Sequence, residues 1–224
     1  MTKSGAGFRD SDIDEVMSLL RGQVKTLEVP WLEKMSKPGN PFRILISCLL
    51  SLRTQDKTTG EASERLFDIA SSPEDMAALP ASRIQKAIYP VGFYRVKAKT
   101  VKTISETIVR QYNGMVPDDI DELLKLKGVG RKTANLVITL GFNKYGICVD
   151  THVHRITNRW GYVKTGKPDE TEVVLRDKLP QKYWKEINGL LVAFGQNICK
   201  PISPLCSVCD INKYCEKVGV GRSR

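Results

Sequence analysis

The sequence contains no long hydrophobic run. Its longest mostly apolar stretch, Ile44 to Leu50, falls far short of the roughly 20 residues that a membrane-spanning helix needs. The opening residues, Met1 to Asp14, hold no apolar core of the kind that directs export, so a cytoplasmic rather than secreted chain is expected. Clean period-two alternation is missing throughout, which leaves at most a short extended connector at Ile147 to Val149. Repeats and low-complexity tracts are missing too. Histidine is scarce: the chain has 2, His152 and His154, too close in sequence to share a helix face. A zinc-binding histidine pair is therefore not expected, and both read as structural hydrogen-bonding residues.

What remains is an ordinary globular composition. The 224 residues are 41% apolar and 27% charged, enough for one large domain or two compact ones with a real core. The net charge of +10 favours a polyanionic partner. Six cysteines in a chain without an export signal are better read as metal ligands or core residues than as disulfides.

Apolar spacing is helical nearly everywhere, and the fold class expected is all-α, with roughly ten helices. Ser11 or Asp12 can cap a first helix through Val16, Leu19 and Leu20, with Glu15 placed to complete a capping box from Asp12. Pro30 and the cluster Lys37-Pro38-Gly39-Asn40-Pro41 break the chain. Phe42 to Leu52 reads as a buried helix, though its apolar run alone would also suit a buried strand. Further helices are expected over 56–70, 94–112, 119–126, 131–140, 152–160, 170–179 and 183–198. In the longest, Val101, Ile104 and Ile108 form the apolar stripe and Lys97, Lys99 and Arg110 lie off it. Cys48 and Cys148 sit in apolar surroundings and read as core.

Three segments carry chemistry. In the first, a short apolar helix meets Gly128-Val129-Gly130 and another helix begins at once with Arg131-Lys132. Glycines allow positive φ and close approach of backbone N–H groups to an anion, and the helix N-terminus adds unpaired donors, so this hairpin suits a single phosphate. A plain helix–helix turn would use the same glycines. Lys132 places positive charge at the wrong end of a helix dipole. That mismatch, the neighbouring Arg131 and Lys127 and partial burial all favour a neutral, nucleophilic amine. In the second segment, Val149 to Arg155, Asp150 can cap the helix that follows, or can turn its carboxylate towards the Lys132 amine across a cleft. The third is Cys199, Cys206, Cys209 and Cys215, spaced C-x6-C-x2-C-x5-C. Four thiolates on one loop-rich stretch, stiffened by Pro201 and Pro204, can wrap a single inorganic centre, and spacing alone leaves zinc and [4Fe–4S] both open.

Taken in order, the hairpin, Lys132, Asp150 and the cysteine loop resemble the endonuclease III family of DNA glycosylases, in the helix-hairpin-helix superfamily. The resemblance runs from about Phe42 to Cys215. It implies two helical domains with DNA in the groove between them: a six-helix domain over 37–148, and an iron–sulfur domain of 1–36 plus 149–224. It turns the metal question to a [4Fe–4S] cluster on Cys199, Cys206, Cys209 and Cys215, mainly structural in role. It implies a bifunctional glycosylase and abasic-site lyase of base excision repair. Damaged, oxidised pyrimidines are flipped out of double-stranded DNA, Lys132 attacks C1′, Asp150 stabilises the developing positive charge, and the strand is cut 3′ to the site. Gly128, Gly130 and Arg131 would hold phosphate. Arg53, where the family usually has Gln, and Phe93, which matches a bulky wedge, would fill the hole left by the flipped nucleotide. Monomeric action, in the cytoplasm or on a nucleoid, suits the family. The alternatives are a mismatch-specific uracil, thymine or adenine glycosylase with weak lyase activity, and a non-catalytic iron–sulfur DNA-binding protein. Lys132 and Asp150 together favour the first reading, because binding alone needs neither. The loop from Cys199 to Cys206 has Lys200 as its one charge, fewer than is usual in the family.

Overall fold

The computed structural model describes residues 8–27 and 39–224. Within them the chain is helical and no strand occurs. No helix among the described residues is long and apolar enough to cross a membrane. The chain packs as two units, one made of residues 39–146 and the other of residues 8–27 with 147–224. The expected divide at 36/37 lies outside the described residues, as do Pro30, Lys37 and Pro38. The second divide falls between Gly146 and Ile147, two residues before the expected one, because Ile147 is buried in the core cluster of the second part of the chain.

Residues 39–146 hold seven α-helices where six were expected. They are α2 (Pro41–Ser51), α3 (Asp56–Ile69), α4 (Pro73–Ala78), α5 (Ala81–Ile88), α6 (Tyr94–Tyr112), α7 (Ile120–Lys125) and α8 (Arg131–Leu136). The ambiguous apolar run is a helix, α2, started by Asn40, whose side chain accepts from the amides of Phe42 and Arg43. It is apolar on nearly every side because it is central: α3, α6 and α8 all pack against it. Neither α4 nor α5 was foreseen. Ser72 caps α4 and Pro73 opens it, while Pro80 precedes α5. The α8 helix widens after Leu136 into a π-helical turn, Val137–Gly141, so the expected single helix over 131–140 changes pitch midway. Lys97, expected off the apolar stripe of α6, is buried.

The other unit contains α1 (Ile13–Val24), α9 (Thr151–Trp160), α10 (Pro168–Lys178) and α11 (Ile187–Asn197), followed by a loop-rich segment. Its core is Met17 and Leu20 from α1, Val153, Ile156 and Trp160 from α9, and Leu191 and Phe194 from α11. The expected capping box at α1 does not form. The Asp12 carboxylate instead turns back to the Arg9 guanidinium at 2.9 Å, and Glu15 pairs with Lys213 at 3.1 Å. Arginine offers two parallel donors, and the N-cap contact is lost to it.

The stripe of α6 sets a stability test. Ile104 is fully buried and Lys99 is exposed on the same helix. Ile104→Ala is expected to lower unfolding free energy by about 2–5 kcal/mol. Lys99→Ala should stay within about 0.5 kcal/mol. Urea titrations of the two variants provide the check.

Candidate active site and cysteine centre

The hairpin is built from two helix ends. α7 stops at Leu126, and the Val129 amide closes the turn onto the Leu126 carbonyl at 3.1 Å. Val129 is buried and pins the loop from below. Gly128 lies at φ +81°, where a side chain is strained, and a Cβ there would stand 3.1 Å from Thr100 Cγ2. Gly130 was expected to share that need and does not. Its φ is −100°, an ordinary extended value, and a Cβ would meet nothing within 4 Å. So Gly128 is demanded by backbone conformation, whereas Gly130 leaves open space over the start of α8, where unpaired N–H groups point.

Arg131, exposed, and Lys132, half-buried, occupy the first turn of α8. Among the described residues no hydrogen bond or ion pair engages the Lys132 ammonium. Asp150 belongs to the other unit. Its Oδ1 accepts from the amides of His152 (2.8 Å) and Val153 (2.9 Å), capping α9. Two bonds to one oxygen fix the carboxylate and leave Oδ2 outside the cap. The histidines behind it are structural, as expected: His154 Nδ1 meets Thr171 Oγ1 at 2.7 Å, and His152 Nδ1 meets the Arg155 guanidinium at 3.3 Å.

α9 also reaches the cysteines. Arg155 and Arg159, one turn apart, hold the loop that starts at Cys199. Arg155 donates to the Cys199 carbonyl at 2.9 Å, while Arg159 donates to the carbonyls of Lys200 and Pro201 at 2.6 Å each and to Cys199 Sγ at 3.5 Å. Cys199, Cys206, Cys209 and Cys215 line one cavity with Trp160 and Phe194. Burial, with the charge of neighbouring sulfurs added, pushes the Cys209 thiol up to about 12 and the Cys215 thiol up to about 11. These two thiols become thiolates only against a compensating positive centre. The Lys217 amide already donates to Cys215 Sγ at 3.4 Å. Among the described residues no three His, Cys, Asp or Glu side chains converge tightly enough to hold one metal ion. Cys48 and Cys148 are buried core residues, as expected.

Arg53 and Phe93, remote in sequence, are neighbours. The Arg53 guanidinium carbon lies 5.7 Å from the centroid of the Phe93 ring, within cation–π range. Both residues are left-handed, at φ 54° and 58°. Phe93 is 62% exposed, so it is not a core phenylalanine. Their mutual contact and strained backbone had no signal in the sequence beyond the family motif.

A model of the HhH-GPD superfamily of base excision DNA repair proteins matches residues 46–181. Endonuclease III of Thermotoga maritima is 49% identical over 180 residues, covering 80% of this chain and 84% of that protein. The chain belongs to the endonuclease III family. By that membership it is a DNA glycosylase of base excision repair. Some relatives of this endonuclease III are longer: Arabidopsis thaliana endonuclease III homolog 2, chloroplastic, is 46% identical over 183 residues, which are 78% of this chain but 47% of the plant protein. A solved endonuclease III, trapped as a covalent intermediate with DNA in an estranged-adenine complex, superposes with a TM-score of 0.83 at 31% identity, covering 93% of this chain and 96% of that one.

The two hairpin glycines should separate under mutation. Gly128→Ala is expected to cost about 1–2 kcal/mol from its left-handed backbone. Gly130→Ala should leave the melting temperature unchanged, because its φ and its surroundings accept a methyl group. Thermal melts of both variants decide the point.

Proposed function

We propose that this protein is bifunctional: it removes oxidised pyrimidines from double-stranded DNA and then cuts the strand at the resulting abasic site. Lys132 carries the reading. A half-buried amine that no other described residue engages, in the first turn after a phosphate-ready hairpin, is what a nucleophile needs and what a binding module does not. The amine attacks C1′ of the flipped nucleotide, the N-glycosidic bond breaks, and the base leaves with a proton. The opened sugar and Lys132 form a Schiff base. Loss of a C2′ proton then expels the 3′ phosphate by β-elimination, which cuts the strand 3′ to the lesion.

Asp150 supplies negative charge as positive charge builds on the sugar, and assists proton movement. Its bonds to two α9 amides keep the carboxylate from reorganising during that step. The hairpin N–H groups beside Gly128 and Gly130, with Arg131, take a backbone phosphate without reading sequence. Arg53 and Phe93 enter the duplex: Phe93 wedges between bases, and Arg53 stacks on or hydrogen-bonds to the orphaned base. Extrusion costs a few kcal/mol, less for a poorly stacked lesion. Action as a monomer, in the cytoplasm or on a nucleoid, accords with this chemistry.

Cys199, Cys206, Cys209 and Cys215 would hold a [4Fe–4S] cluster, a rigid cross-link with redox capacity. The cysteine set suits an inorganic centre, and the family likeness turns it to the cluster rather than zinc. The ligand set is four soft thiols around one cavity, with donors already aimed at sulfur.

Borohydride reduction in the presence of abasic-site DNA tests the nucleophile. A covalent adduct is expected with the unmodified protein and none with Lys132→Gln, which should still bind the DNA. An undiminished adduct in Lys132→Gln would remove Lys132 from the mechanism. An unmodified protein that excises but never traps would point to a mismatch-type glycosylase. Asp150→Asn preserves a good helix cap, so its melting temperature should hold while turnover falls by about a hundredfold or more. Unchanged turnover would reject the role given to the carboxylate. For the metal, protein prepared anaerobically should be brown, absorb near the blue edge of the visible and lose that colour in Cys209→Ser. A colourless, zinc-containing preparation would refute the cluster.

A further inference from the structure

Lys97 is the anomalous side chain of the unit formed by residues 39–146. It is 9% exposed, and burial alone pushes its ammonium down to about 8, with no acidic partner acting on it. Three oxygens receive its three protons instead: the carbonyls of Leu50, at 2.8 Å, and Leu52, and the hydroxyl of Thr54 at 3.2 Å. The two carbonyls belong to the C-terminal end of α2, the negative end of its dipole, where a cation is favoured.

The loop held in this way is the one that carries Arg53. A left-handed arginine is strained and persists only where its surroundings fix it. Lys97 grips the residues on both sides, Leu52 and Thr54. The Thr54 hydroxyl also accepts from the Gly92 amide at 3.2 Å, tying this loop to the one that presents Phe93. Contact there is backbone to backbone: a Cβ on Gly92 would lie 2.6 Å from the Arg53 carbonyl oxygen. The backbone amide of Lys97 completes the arrangement by donating to the Phe93 carbonyl at 3.0 Å. One residue is therefore bonded to both loops, through its side chain on the Arg53 side and its main chain on the Phe93 side.

We propose that Lys97 is the positioning residue for nucleotide extrusion, locking Arg53 and Phe93 into one rigid two-pronged wedge before DNA arrives. This rests on the reading of Arg53 and Phe93 as the residues that enter the duplex. Arg53 has many rotatable bonds, and an unanchored loop would lose conformational freedom on entering the duplex that an anchored one has already lost. The amine that reacts, Lys132, lies on another helix and is not touched by Lys97.

Two variants test the proposal, Lys97→Met and Thr54→Val, the second keeping the lysine and removing the shared hydroxyl. Each is measured by single-turnover excision of an oxidised pyrimidine opposite each of the four bases, and by cleavage of an abasic site in a single-stranded oligonucleotide. A single strand has no orphaned base and no stack to open. Duplex excision should fall by about tenfold to a hundredfold, as expected for lost bonds to a charged group. Preference among opposing bases should flatten, and single-strand cleavage should stay within about twofold. In an Arg53→Ala background, either variant should add little further loss. Equal losses on both substrates, or losses that multiply with Arg53→Ala, would overturn the proposal. Should Lys97→Met fail to fold, Thr54→Val decides alone on the same criteria. If the unmodified protein itself yields no trapped adduct, the bifunctional reading fails; if it traps and the variants miss the pattern above, only the role of Lys97 fails.

Discussion

A carboxylate that caps a helix is held as firmly as the helix beneath it. Asp150 gives one oxygen to two amides of α9, and the far half of α9 is fastened by Arg155 and Arg159 to the cysteine loop. Arg159 lies eight residues beyond Thr151, about 12 Å along the helix. The helix cannot tilt at one end without straining the other. Fixed orientation matters because stabilisation of developing charge depends on dipoles and charges that need not move when the reaction occurs. The cysteine loop at the far end of α9 thus stiffens the support of one side chain.

That arrangement also accounts for a loop short of surface charge. Lys200 is the one charged residue between Cys199 and Cys206, yet the loop is not short of cations beneath it. Two arginines of α9 meet its carbonyls from inside, and Arg159 is almost fully buried. Bonds from a charged donor to a carbonyl are worth about 1.5–3 kcal/mol, and they satisfy loop carbonyls that helices and strands would otherwise pair. The loop is built to hold α9 and to present sulfur.

Much of the fold was legible because helical periodicity survives in single segments. The bounds of α6 follow from its stripe, and Asp119 and Asp150 cap the helices they precede. The hairpin and the four cysteines were legible because each needs its residue types within one short stretch. What escaped depends on contacts between distant residues. α4 and α5 are too short to establish a period, and only Ser72-Pro73 and Pro80 signal them. Asp12 reads as a cap until Arg9 competes for its carboxylate. Gly130 looks like a second left-handed glycine, although its φ of −100° shows that space and not conformation is its use.

Lys97 shows why such misses gather where function lies. On a helical wheel it falls in line with Val101, Ile104 and Ile108, and only its charge assigns it to solvent. Burial of its ammonium is tolerable only because the end of α2 exposes carbonyls that no helix bond can use, a feature of α2 and not of α6. The same loop bears a strained arginine beside an exposed phenylalanine, each unfavourable in isolation. Three local violations in one place, a buried cation, left-handed side chains and an exposed aromatic, are unlikely to be retained for stability, since each could be relieved by substitution. They become intelligible together if the two loops must stand rigid, as the proposed wedge of Arg53 and Phe93 requires.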